Sequence, residues 1–136
     1  MKNIKALISW SGNNYCVTNG PEVEGCIVVT DKSFENAKKS FEETLKFHVE
    51  GMLADGDDVP SWLQNGEYEI VYELETSALL RRCERFTSIA AISRASGINE
   101  RQLSHYANGL KRPRPEQRKR IIDGLHKIGE EFLSVV

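Results

Sequence analysis

The sequence predicts an α+β chain: a small βββαβ sheet-plus-helix domain over residues 1–74, then an all-α domain of about five helices over residues 75–136. Three observations point there. Apolar residues alternate with a period of two in the first half and recur at three and four in the second. Residues 1–74 carry six lysines and no arginine against thirteen carboxylates, a net of −7. Residues 75–136 carry three lysines and nine arginines against seven carboxylates, a net of +5, so the whole-chain charge of −2 conceals two opposed halves. At 136 residues the chain is long enough for one ordinary domain or two small ones, and the changes near residue 75 favour two. The N-terminal piece has little surface to bury, so oligomerisation or docking is expected to support it.

In the first half, Ile4, Ala6, Ile8 and Trp10 alternate with Lys5, Leu7 and Ser9, the pattern of a half-buried strand. Ser11-Gly12-Asn13-Asn14 closes a hairpin onto a second strand, Tyr15 to Thr18. Asn19-Gly20-Pro21 interrupts the chain, and the β-branched run from Cys26 to Thr30 is expected to form a third strand. Ser33 caps a helix with Phe34, Ala37, Phe41, Leu45 and His48 on one face, opposite Glu35, Lys38, Lys39, Glu42, Lys46 and Glu50. A polar loop is expected from Gly51 to Gly66. A fourth strand follows, with Tyr68, Ile70, Tyr72 and Leu74 inward and Glu67, Glu69, Val71 and Glu73 outward.

The second half opens with a helix capped by Thr76 and running through Leu79 and Leu80 to about Arg85. Ile89 and Ile92 then mark a helix ended by Gly97, a residue able to take positive φ. Ile98 plugs the gap, Asn99 caps another helix, Leu103 and Tyr106 face inward, and Asn108-Gly109 ends it. This is a helix-turn-helix pattern. The outward face of its second helix offers Glu100, Arg101, Gln102, Ser104 and His105, polar side chains able to reach base edges in a major groove. Arg101 is the first choice for base reading, since a guanidinium matches guanine O6 and N7. Glu100 is expected either to accept from a cytosine amine or to stabilise the helix start. His105 is weighed as a guanine or phosphate donor against a solvent-facing spacer. Ser88 can hold a phosphate at the preceding helix N-terminus, and Asn108, Lys111 and Arg112 can clamp the neighbouring backbone. Lys111, Arg112, Arg114, Arg118, Lys119 and Arg120 form the basic flank that phosphate contacts need. Alone, such a run is an ordinary solvated face. Pro115 opens a long last helix with an apolar seam of Ile121, Leu125, Ile128 and Phe132; part of it is expected to close the core, and the remainder, with Leu133, Val135 and Val136, to pair two protomers.

The stretch from about Thr76 to Leu133 closely resembles the Xre/Cro-type helix-turn-helix of phage repressors, including its tail Tyr106-Ala107-Asn108-Gly109-Leu110-Lys111-Arg112-Pro113. Ser93 and Ser96 depart from that pattern, but both are small enough for close helix crossing. In the first half, Pro21-Glu22-Val23-Glu24-Gly25-Cys26 resembles the P-D-L-P-G-C turn of HicB antitoxins, and Asp31-Lys32-Ser33-Phe34-Glu35-Asn36-Ala37 resembles their G-D-T-x-E-E-A helix start. Glu24 stands for that family's second Pro and Asp31 for its Gly. The resemblance implies a partial RNase H-like fold, binding to a small basic mRNA-cleaving HicA-like toxin, and repression of the chain's own operon. Composition and spacing by themselves give only an acidic sheet domain joined to a DNA reader.

No catalytic residue, metal ligand or cofactor is expected. Asp55, Asp57 and Asp58 lack calcium-loop spacing and read as a solvated loop; His48 reads as a packed histidine. Three cysteines in no metal-ligand pattern, with neither a signal segment nor a membrane span, suggest a reducing cytoplasm. The expected partners are double-stranded operator DNA, the toxin, and a second copy, because one such motif grips few base pairs and dimers read two half-sites. The alternative is a stand-alone regulator whose sheet domain oligomerises or binds a small ligand.

Overall fold

A computed structural model describes all residues from Met1 to Val136. It is a mixed α+β structure with four strands and six helices: β1 (Lys2–Ser11), β2 (Asn14–Asn19), β3 (Val28–Asp31), α1 (Phe34–Ala54), α2 (Ser61–Gln64), β4 (Tyr68–Leu74), α3 (Thr76–Cys83), α4 (Ile89–Ser96), α5 (Glu100–Ala107) and α6 (Pro115–Leu133). The chain divides into two compact units. One holds Met1–Ser9 with Asn13–Glu75, the other Trp10–Gly12 with Thr76–Val136.

The first unit is a mixed sheet of order β3-β2-β1-β4. β4 runs parallel to β1, with Ile4 beside Ile70 and Ala6 beside Tyr72, while β2 and β3 are antiparallel. Alternation sets which residues are buried: Ile4, Ala6, Ile8 and Val17 have no exposed surface, and neither do Ala37, Phe41 and Leu45 of α1. Ser33 caps α1, its side chain accepting from the Asn36 N–H at 3.2 Å. The apolar stripe continues through Val49 rather than His48, which is only half-buried. Three details correct the sequence expectation. β3 begins at Val28, because Cys26 and Ile27 belong to a loop organised by Asn19. That side chain donates to the carbonyls of Gly20, Val23 and Gly25 and accepts from the Ile27 N–H at 2.7 Å. α1 runs on through Gly51 to Ala54, where Asp55 forms the cap. The expected loop then contains α2, anchored by buried Val59 and Leu63.

The second unit holds four helices where about five were expected. Its core is Leu80, Ile92, Ile98, Leu103, Tyr106, Ala107 and Ile121, with Cys83, Ile89, Leu125 and Ile128 packed around it. Phe132 and Leu133 lie beyond that core and are exposed, as are Val135 and Val136. α4 and α6 cross closely: a Cβ on Gly124 would come within 3.0 Å of the Ser96 backbone nitrogen. The sequence pattern gave no role here to Trp10. Its backbone N–H donates to Ser77 Oγ at 2.9 Å, and its ring lies 4.4 Å from the Arg81 guanidinium.

Candidate nucleic-acid interface

The α4–turn–α5 segment is built from its caps outward. Ser88 sits in extended backbone before α4, and its Oγ accepts from the Ala91 N–H at 3.1 Å. Gly97 ends α4 at φ 75°, a conformation that costs a residue with a Cβ about 1–2 kcal/mol. Across the turn, the Ser93 hydroxyl donates to the Ile98 carbonyl at 2.6 Å, and the Ile98 N–H donates to Ser96 Oγ at 3.2 Å. The two serines that depart from the resembled pattern thus tie the turn together. Asn99 then caps α5 by accepting from the Gln102 N–H at 2.8 Å. Ile98, Leu103 and Tyr106 are buried, which fixes the opposite face of α5 outward.

On that outward side, Glu100 and Arg101 are exposed in the first turn. Gln102 is half-buried, its amide donating to the Tyr106 hydroxyl at 2.7 Å. Tyr106, expected only in the core, therefore also orients the Gln102 side chain; the i, i+4 spacing is the signal for it. Ser104 is half-buried. His105 is also half-buried, and its Nδ1 is shielded from solvent without a hydrogen-bond partner. Asn108 is exposed and accepts from Arg81 at 3.2 Å. The chain leaves α5 with the Leu110 N–H on the His105 carbonyl, presenting exposed Lys111 and Arg112.

The basic flank separates into two groups. Lys111, Arg112, Arg114 and Lys119 are exposed. Arg118 instead donates to Thr76 Oγ1 at 2.9 Å, and Arg120 donates to the carbonyls of Gly97 at 3.0 Å and Ser96 at 3.3 Å. Arg120 thereby satisfies carbonyls left over at the C-terminus of α4. These two cations therefore have hydrogen-bonding roles within the fold that the sequence pattern did not show, although Arg120 is exposed like the rest of the flank.

In the first unit, Asp55, Asp57 and Asp58 are exposed, and no group of three or more His, Cys, Asp or Glu side chains is arranged to hold a metal ion. His48 makes a 2.7 Å hydrogen bond through Nε2 to the Glu24 carbonyl, pinning the loop that Asn19 organises. Burial, then Glu42, pushes the Tyr72 phenol above its ordinary range. Burial likewise raises the Cys83 thiol, against the pull of Arg85 and Arg82. No helix is long and apolar enough to cross a membrane. Compared with known proteins, the chain matches no family model, no curated protein and no solved structure.

Proposed function

We infer that this chain is an antitoxin-like autorepressor. Its second unit binds operator DNA as a dimer through α5, and its acidic first unit neutralises a small basic RNA-cleaving partner of the HicA kind. The observation that carries the DNA half is the exposure of Arg101 and Glu100 in the first turn of α5, beyond an Asn99 cap and a left-handed Gly97 turn. Side chains in the first turns of such a helix are the ones that reach base edges. Ser88 at the start of α4 and Lys111 beyond α5 supply groups suited to phosphates on either side. The half with the toxin rests on the net −7 of residues 1–74 and on the family resemblance.

The test begins with selection of a preferred duplex from a random pool, followed by titration of that duplex and a scrambled one. Arg101→Ala is expected to weaken the selected duplex by about 1–3 kcal/mol and to leave the scrambled one nearly unchanged. Equal losses on both duplexes, or no loss, would remove Arg101 from base reading. Co-expression with the neighbouring open reading frame tests the other half. A short basic product that co-purifies and is silenced supports it, and an unbound or unaffected product contradicts it.

A further inference from the structure

β4 ends the sheet, so one side of its backbone has no strand beside it. At seven residues it is nearly twice the length of the opposite edge, β3, which has four. Its packed face is also incompletely covered. Tyr68, Ile70 and Tyr72 are half-buried, whereas their β1 neighbours Ile4 and Ala6 have no exposed surface. Proteins blunt such an edge against self-pairing with charged side chains, prolines, bulges or a covering element. From Glu67 to Glu75 this strand has no proline and no basic residue, but four glutamates.

The charges select what can pair here. Glu67, Glu69 and Glu73 are exposed on the face that also presents Val71, itself 40% exposed. On this face Lys5 of β1 places its Nζ 3.5 Å from Glu73 Oε1, and on the other face Lys38 of α1 places its Nζ 4.8 Å from the centre of the Tyr72 ring. Lys46 of α1 and Glu42 beside it lie along the other face near Tyr68 and Ile70. A second copy pairing antiparallel about Val71 would set Glu69 of one chain opposite Glu73 of the other. Like charges directly opposite destabilise a ladder. An incoming strand with lysine or arginine at alternate positions would instead gain opposed-charge pairs along the same face.

We propose that the outer edge of β4 receives an extended basic segment of a partner protein, which adds a fifth strand to the sheet. Main-chain hydrogen bonds supply the attachment, and Glu67, Glu69 and Glu73 select for alternating cations. This deepens the reading of the first unit as the surface for a basic partner, but it needs no DNA binding and no toxin activity.

The test uses the full ¹⁵N-labelled chain and synthetic peptides of about the length of β4. A peptide alternating lysine with valine is expected to bind, slowing hydrogen exchange at amides within Tyr68–Leu74. Its glutamate counterpart should not bind. N-methylation of alternate peptide amides keeps the charge and removes main-chain donors, and should abolish the protection. Glu69→Lys with Glu73→Lys should weaken binding by about tenfold, the scale of losing two favourable cross-strand pairs and gaining two unfavourable ones. Several outcomes would overturn the proposal: binding that survives N-methylation, equal binding of the acidic peptide, protection elsewhere in the chain, or no binding at millimolar peptide. An unchanged duplex titration for the same double variant separates this surface from the DNA half, which stands or falls on Arg101.

Discussion

Arg101 and Gln102 are neighbours in α5 yet are held by different means. Arg101 extends into solvent and must lose its rotamer freedom on contact, whereas Gln102 is already oriented by the Tyr106 hydroxyl at 2.7 Å. Tyr106→Phe should therefore release Gln102 and relax discrimination at one base pair, with the fold intact; retention of full discrimination would free Tyr106 of that role. Lys111 is exposed just beyond α5, and Lys111→Ala should reduce the log–log salt slope by roughly one unit on all duplexes alike. A loss confined to one sequence would assign it to a base. In the first unit, Tyr72 gives a pH prediction. Its phenol is held protonated by burial and by Glu42, so the folded value lies above the unfolded one. The associated stability is complete below about pH 10 and falls as pH rises further. Tyr72→Phe should make that alkaline decline shallower in urea denaturation, with a residual slope from Tyr68, whose phenol is raised by the same two causes. An unchanged slope would contradict the assignment. At this scale helical spacing marked Glu100 and Arg101 as exposed, whereas Gln102, Ser104 and His105, expected on the same outward face, are half-buried. The sequence could not reveal that Arg118 and Arg120 spend their donors on Thr76, Ser96 and Gly97. Residues more than twenty positions apart carry no local signal of such a bond.

Among the elements, the turn between α4 and α5 is the most legible in sequence. Ser88, Gly97 and Asn99 each have one dominant local role, and the structure gives them those roles as cap, left-handed stop and cap. Two glycines permit a graded test. Gly97 and Gly109 both have positive φ, but a Cβ on Gly97 would meet only the flexible end of Arg120 at 3.0 Å. One on Gly109 would lie 2.5 Å from the Trp10 carbonyl oxygen. Gly97→Ala should cost about 1–2 kcal/mol and Gly109→Ala distinctly more, read from urea midpoints. The reverse order would show that the Trp10 approach is not part of the folded second unit. The elements missed in the sequence share a cause. Gly51 suggested a helix end, but helices tolerate an isolated glycine at about 1 kcal/mol, and α1 continues until Asp55. α2 is one turn held by Val59 and Leu63, too short to show a period. The start of β3 is set by Asn19, eight residues before Ile27, a distance that pattern counting does not span.

At the level of the whole molecule, the opposed charges were plain from composition: −7 in residues 1–74 and +5 in residues 75–136. The assignment of Trp10–Gly12 to the second unit was not, because a hairpin tip reads only as a turn. Under the proposed function each unit takes its own partner, chosen by the sign of its field, and the binding of one partner can be measured without the other. Its central claim is that α5 enters the major groove. The most direct measurement is amide chemical-shift mapping of the ¹⁵N-labelled full chain on addition of the selected duplex. The account predicts that Ser88, Glu100, Arg101, Gln102 and Lys111 move together at stoichiometric duplex, while Tyr68–Leu74 stay in place. A bound duplex that leaves the amides of α5 unmoved, or shifts only those of the first unit, would contradict it.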